Sequence, residues 1–355
     1  MEKQETGINR DELSVSRERA AAMIEWMRGR GRILIVTHDN PDPDAIAAAV
    51  ALKHLLLVQT GQEAVVTFGG IIGRSENRLM VEELQIDLKP ISTLDLDQFN
   101  IVCMVDTQPG TGNNSYPGDK KVHLVIDHHA PRAELQNVTW VDVREEYGAA
   151  ATILYEYLCT QNIRINTRLA TSLYYAIKSE TQDLGREWSK ADREAYLKLL
   201  PLSNNRILFR ITHPPVPGNY FSTFNRAMKN ARIYGCLLIF NLFKVDNPDI
   251  VAELADFMLR HEGVTHVMGL GWYDGAEVAS LRTLDPDIKL GQVVQEVFHG
   301  LGTSGGHGMI AGGQIRPMSE DVAAQEELEL TLTHRFLKVV GLKVVTGEPL
   351  VTDNP

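Results

Sequence analysis

The sequence predicts an α/β protein. Its N-terminal part reads as a doubly wound, mostly parallel sheet, and a smaller C-terminal α/β domain follows it. Three observations lead there. Apolar runs of strand length alternate with stretches of helix length, which is the rhythm of βαβ units. The chain has 355 residues, too many for one ordinary core. Past the middle, from Pro201, the rhythm breaks, and His213-Pro214-Pro215-Val216-Pro217-Gly218 fits neither regular helix nor sheet.

The charged N-terminus has no apolar signal core, and its first ten residues are expected to be disordered. A helix then spans Asp11 to Arg28 and ends before Gly29-Arg30-Gly31. Ile33–Thr37 is a strand, Ala45–Val58 a helix rich in Ala and Leu, Ala64–Phe68 a strand and Arg74–Leu84 a helix. Ile101–Val105 and Val122–Ile126 are further strands, and Val138–Val143 is a shorter one. Gly148–Leu158, Thr167–Lys178 and the polar Lys190–Leu200 read as helices. In the second part Ile233–Phe243, Val264–Leu270 and Ala276–Arg282 are strands. Pro248–His261, Leu290–Leu301 and Glu326–Val340 are helices. The resulting division is a domain at 15–200, a connector at 201–230 and a domain at 231–345.

Hydrophobic residues make up 44% of the chain and charged residues 23%, ordinary for a globular protein. The formal net charge of -11 argues against a basic surface for long duplex nucleic acid. A small phosphate substrate stays open, because bound divalent cations reverse the local field. Cys103, Cys159 and Cys236 are scattered, with no Cys-x-x-Cys pair, which fits a reducing cytoplasm. No stretch approaches the length of a membrane span.

The chemistry gathers at strand ends. After Ile33–Val36 comes His38-Asp39-Asn40-Pro41-Asp42-Pro43-Asp44. The prolines are expected to keep this segment out of helix, which leaves His38, Asp42 and Asp44 on a stiffened loop. Open α/β sheets place their sites at that edge, and this donor set suits a divalent cation of the Mg/Mn type. A surface turn rich in Asp, Asn and Pro is the plain alternative. Asp106 ends the run Ile101–Val105, and Asp127-His128-His129 follows another run. Asp106 as a turn cap and His128 or His129 as a core histidine are the separate alternatives. Three parallel strands that each end in a ligand favour one shared site.

In the second part, residues 302–313 hold six glycines in twelve positions, around Ser304-Gly305-Gly306-His307. Such backbone approaches a ligand closely and points N–H groups at an anion. It is neither a Walker loop nor a dinucleotide fingerprint; a flexible loop with a solvated histidine is the alternative. Arg282, at a strand end, is able to fork onto a phosphate or stack on a base, or it is simply exposed.

Together these motifs resemble the DHH phosphoesterase family with its companion DHHA1 domain, over roughly Val15 to Val345. The arrangement is most similar to the nanoRNase/pAp-phosphatase branch of bifunctional oligoribonucleases. The resemblance implies a cytoplasmic, manganese-dependent hydrolase that cuts short RNA or DNA oligonucleotides, or linear or cyclic dinucleotides, to mononucleotides. It also implies removal of the 3′-phosphate of adenosine 3′,5′-bisphosphate in some members. Two divalent cations are implied, manganese first, with magnesium or cobalt as alternatives. His38, Asp42 and Asp106 would hold one, and Asp44, Asp106 and His128 the other, with Asp106 bridging. Asp106, His128 and His129 would carry the catalysis, with His129 facing the phosphate. Asp127 would support the imidazoles. Arg282, Ser304, Gly305, Gly306 and His307 would contact substrate. Where the family has a further aspartate ligand, this chain reads Ile177-Lys178-Ser179-Glu180-Thr181-Gln182-Asp183. Glu180 takes the ligand position, and Asp183 is the substitute. Two other readings stay open: an inorganic pyrophosphatase with the same metal chemistry, which the Gly-Gly-His stretch disfavours, and a nucleotide-binding sensor with a weakened metal site. A homodimer is left open, and neither a membrane nor long duplex nucleic acid is an expected partner.

Overall fold

A computed structural model describes residues 10–343 and 346–352, without the side chains of residues 10–12 and 307. Residues 1–9, expected to be disordered, lie outside the described residues. The chain divides into two compact units between Pro214 and Pro215.

The first unit runs α1 (Arg10–Met27), β1 (Ile33–Val36), α2 (Pro43–Thr60), β2 (Ala64–Phe68), α3 (Ser75–Leu84), β3 (Lys89–Pro90), β4 (Ile101–Val105), β5 (Leu124–Asp127), β6 (Trp140–Val143), α4 (Ala150–Thr160), α5 (Thr167–Glu180), α6 (Lys190–Leu199) and α7 (Asn205–Thr212). Among the described residues its six strands lie in the order β3-β2-β1-β4-β5-β6, and every pairing is parallel. β1 and β4 are buried along their whole length, as central strands of a parallel sheet must be, and so read as unbroken apolar runs. Side chains alternate across the sheet. Ile33, Ile35, Cys103 and Val105 pack under α1, α2, α4 and α5. Leu34, Val36, Val102 and Met104 face the other way, under short 3-10 turns and loops that contribute Ile91, Leu96 and Leu135. The strand order reverses between β1 and β4, and the crevice beyond their carboxyl ends is where this topology puts a site.

The second unit runs α8 (Gly218–Asn230), β7 (Arg232–Tyr234), β8 (Leu237–Lys244), α9 (Asp249–Met258), β9 (His266–Tyr273), β10 (Ala276–Thr283), α10 (Leu290–Val297), β11 (Thr303–His307), β12 (Ile310–Ile315), α11 (Val322–Val339) and β13 (Glu348–Pro349). Among the described residues the seven strands lie in the order β11-β12-β10-β9-β8-β7-β13. β8 and β9 are parallel and the other pairs antiparallel. One face packs on α10 and α11, through Leu332 and Phe336, and the other on α8 and α9, through Ala227 and Leu254.

Three expectations change. The stretch 201–230, read as a connector, is mostly helix: α7 packs on α3 and α5, and α8 on β8. The prolines confine the interruption to residues 213–217. The segment 38–44 is not all loop, because α2 begins at Pro43. Proline suits the first helical position, where no N–H bond is lost. The glycine stretch is not a loop but the hairpin β11–β12. A Cβ on Gly291 of α10 would lie 2.2 Å from the carbonyl oxygen of Gly306, so these glycines let helix and strand backbones touch.

Glu277 of β10 is 1% exposed, and neither of its carboxylate oxygens has a hydrogen-bond partner among the described residues. Burial first, and the charge of Glu329 second, push its carboxyl up to about 8 from an ordinary value of 4.5. The folded chain therefore holds a proton that the unfolded chain releases between those values. Stability is fully kept below about 4.5, falls as the pH climbs to about 8, and levels off above. The slope is at most about 1.4 kcal/mol per pH unit for one proton. Urea unfolding between acidic and alkaline pH should show this fall in the wild type and a flatter profile in Glu277→Gln. An unchanged fall in the variant would assign the dependence to other groups.

Candidate metal centre

The centre is built at the ends of β1, β4 and β5. His38 stands two residues past β1, Asp106 immediately past β4, Asp127 at the last position of β5, and His128 and His129 just beyond it. Asp106 has φ +56°, a left-handed backbone unusual for a residue with a side chain and a sign of local constraint. Asp42 is the N-cap of α2: its Oδ1 accepts from the N–H groups of Asp44 (2.9 Å) and Ala45 (3.0 Å). Asp44, in the first turn of α2, caps a different helix. Its oxygens accept from the N–H groups of Ala150 (2.7 Å) and Ala151 (2.8 Å) at the start of α4, which has no side-chain cap of its own.

Two groups of ligand atoms meet at Asp106: His38 with Asp42 and Asp106, and His128 with His129 and Asp106, each within 4.8 Å of one another. The Nε2 atom of His38 lies 3.5 Å from Asp106 Oδ2 and 3.7 Å from Asp42 Oδ1. The Nε2 atom of His128 lies 3.4 Å from Asp106 Oδ1 and 3.8 Å from Asp44 Oδ2. These separations are too long for hydrogen bonds and leave room between the partners. Asp106 Oδ1 and His128 Nε2 are both buried and, among the described residues, without hydrogen-bond partners. Orphaned acceptors of this kind call for an explanation, and a divalent cation among nitrogen and oxygen donors supplies one.

The imidazoles are oriented from behind. Nδ1 of His38 meets the carbonyl of Asp39 (2.9 Å), and Nδ1 of His128 meets the carbonyl of Tyr147 (3.1 Å). Each Nδ1 thus carries the proton, and Nε2 is left as the free donor atom. Nδ1 of His129 lies 2.8 Å from Asp127 Oδ1. Burial alone would lower the histidines, but the carboxylates win. His38 is held well above the usual imidazole range by the facing carboxylates of Asp106 and Asp42, and His128 by those of Asp106 and Asp44. His129 is raised by Asp127 and Asp106. Asp106 is held well below the carboxylate range: burial opposes this, but His128 and His38 dominate. Burial and the charge of Asp106 push Asp44 up. Divalent cations between these groups would reverse that balance and displace the protons.

The structure brings together His38, Asp42, Asp106, His128 and His129, with Asp44 beside them and Asp127 behind. His129 groups with Asp106 and His128, whereas the resemblance gave that place to Asp44, whose oxygens are engaged with α4. Glu180 is the last residue of α5. Its carboxyl is pushed up to about 7 by burial and by Asp42, and it also feels His128, Asp106 and His129. Asp183 points elsewhere: it is exposed and paired with Lys178 and with the Tyr196 hydroxyl (3.0 Å). In the second unit Arg282 is 4% exposed and bound to Asp256 (2.6 Å) and to the Ser280 hydroxyl (2.7 Å), so it is not an exposed arginine. Ser304 donates to the carbonyl of Val294 (3.3 Å). Gly305 and Gly306 lie exposed in β11. His307 ends that strand, and its side chain lies outside the described residues.

Sequence reasoning missed Gln108. It is fully buried, and its Nε2 donates to Asp127 Oδ2 (2.7 Å) and to the carbonyls of His129 and Ala130, while its Oε1 accepts from the N–H of Arg132 (2.9 Å). Its one signal was a polar amide two residues after a strand-end aspartate.

With the geometry in place, comparison with known proteins adds a class. The sequence model described as DHH family, N-terminal domain matches residues 32–177, which run from the start of β1 into α5. The first unit thus carries a DHH family domain. An uncharacterized protein of Methanocaldococcus jannaschii is 33% identical over 318 residues, 88% of this chain and 64% of that protein. An Enterococcus faecalis protein named probable manganese-dependent inorganic pyrophosphatase is 26% identical over 154 residues, 42% of this chain and 48% of its own length. The chain spans less than two thirds of the length of these curated relatives. An exopolyphosphatase-related protein from Bacteroides fragilis superposes with a TM-score of 0.73 at 15% identity, over 92% of this chain and 98% of that one. That likeness is one of fold. Among the described residues no helix is long and apolar enough to cross a membrane.

Gln108→Ala should leave Asp127 and the loop after β5 with buried unpaired groups and cost about 1–3 kcal/mol. Denaturant unfolding measures this, and a loss below a few tenths of a kcal/mol would show that Gln108 does not hold the loop.

Proposed function

We propose that this chain is a metal-dependent phosphoesterase that hydrolyses short oligonucleotides or dinucleotides to mononucleotides, with adenosine 3′,5′-bisphosphate as a related substrate. The observation that carries the reading is the sharing of one buried carboxylate, Asp106, by two separate groups of histidine and aspartate donors. His38, Asp42 and Asp106 would hold one divalent cation. Asp106, His128 and the neighbouring His129 or Asp44 would hold a second, with Glu180 facing the pair. Manganese is the ion proposed, with magnesium or cobalt as alternatives; relatives named as manganese-dependent pyrophosphatases support that choice. Such ions, when bound, supply Lewis-acid polarisation of a phosphoryl oxygen and an acidified water.

The residues of the chain do the rest. The carbonyls of Asp39 and Tyr147 fix the tautomers of His38 and His128, so no reorientation is needed at the moment of reaction. Asp127 clamps Nδ1 of His129, whose side chain is 34% exposed, and a ring held in this way would donate to a phosphoryl oxygen of a bound substrate. The acidic surface, with a net charge of -11, disfavours long polyanions and suits short substrates. The choice of a nucleotide over pyrophosphate rests on the Ser304-Gly305-Gly306-His307 motif of the second unit.

The second reading, an inorganic pyrophosphatase, is favoured by the names of several relatives that match about two fifths of this chain. Hydrolysis of a 5′-phosphorylated dinucleotide, a cyclic dinucleotide, adenosine 3′,5′-bisphosphate and pyrophosphate, each with Mn²⁺ and with EDTA, separates the two. Mononucleotide release abolished by chelation is the expected outcome, and turnover of pyrophosphate alone would replace it with the second reading. Asp106→Ala should lower the rate by more than about 100-fold, the upper range for the loss of an outer partner of a metal ligand. Near-normal turnover in that folded variant would remove Asp106 from the bridging role.

A further inference from the structure

Away from the metal centre, the first unit has a pocket of about 250 Å³ between the middle of α2, the end of α3 and the start of α5. Its wall carries Lys53 and His54 from α2, and Arg168 from the first turn of α5. Asp87 is the acidic residue in that wall, and it is already paired with Lys89 at 2.8 Å. A cationic pocket is out of character for a chain with a net charge of -11.

Two features place donors beside this space. The first is the N-terminus of α5, a helix of 14 residues. Asn166 caps one of its N–H groups, that of Leu169 at 3.0 Å. The amides of Thr167 and Arg168 have no acceptor within the helix, and the positive end of the helix dipole lies there. The second is Ser172, one turn further along. It lines the pocket and is 1% exposed, and its Oγ has no hydrogen-bond partner among the described residues. A serine inside a helix ordinarily bonds back to the carbonyl four residues earlier. This hydroxyl does not, and a buried hydroxyl without an acceptor is costly unless something fills the space beside it.

We propose that this pocket is a second, non-catalytic binding site for a small phosphate-class dianion, either inorganic phosphate or the phosphate of a phosphomonoester, held by Lys53, Arg168, the first-turn amides of α5 and the Ser172 hydroxyl. It is distinct from the metal centre: Glu180, at the other end of α5, is twelve residues from Arg168, or about 18 Å along the helix. The site follows from these residues alone and does not depend on the proposed hydrolysis.

The test uses full-length protein kept in EDTA, so that divalent cations cannot recruit phosphate to the centre. Inorganic phosphate and a nucleoside 5′-monophosphate are titrated separately by calorimetry. Saturable binding of either is expected, and the tighter of the two identifies the source of the phosphate. Lys53→Met/Arg168→Met should abolish it, and Ser172→Ala should weaken it several-fold. Lys53 and Arg168 reach solvent, so their loss should leave the melting temperature near that of the wild type. Asp106→Asn, altered only at the centre, should bind as the wild type does. No saturable binding of either anion in the millimolar range would overturn the proposal. So would binding that survives in the double variant or disappears in Asp106→Asn.

Discussion

The first unit is organised around a single buried charge. Asp106 is 2% exposed and sits where the two central strands of the parallel sheet part. Burying a carboxylate is unfavourable unless opposite charge surrounds it. Here three imidazoles do so: His38 from β1, and His128 and His129 from β5. The strand order fixes this. β1 and β5 flank β4, so residues just past their ends converge on whatever follows β4. A carboxylate at that position gathers donors from both sides, and the left-handed backbone at Asp106 holds it there.

The helices are tied to the same point. Asp42 caps α2, and Asp44 caps α4 from 106 residues away in the chain. The carboxylates beside the centre therefore also satisfy the orphan N–H groups of two helix starts. Removing one of them would loosen a helix as well as a ligand set, so folding and metal binding draw on the same hydrogen bonds. Gln108 extends the arrangement to the loop after β5, which carries both histidines.

Much of this was legible in the sequence because it is local. Ile33–Val36, Ile101–Val105 and the run ending at Ile126 are unbroken apolar strands, and the residue types that follow them announce a site. What could not be read is non-local or depends on packing. The bonds of Asp44 to α4 bring together residues a third of the chain apart. Pro43 read as a helix breaker but serves as a helix starter, because its effect depends on position within the turn. Composition alone made the glycines at 302–313 a ligand loop. The structure shows strands whose missing side chains admit α10 and the ring of Phe298 against Gly313. Arg282 read as a free cation, but Asp256, 26 residues earlier on α9, already holds it.

In the proposed centre Asp106 is shared by two cations. A crystal of the protein grown with manganese and measured at the manganese absorption edge tests it most directly. Two anomalous peaks are expected, one between Asp106, His38 and Asp42 and one between Asp106 and His128. A single peak that leaves Asp106 uncoordinated, or manganese bound only elsewhere on the chain, would contradict it.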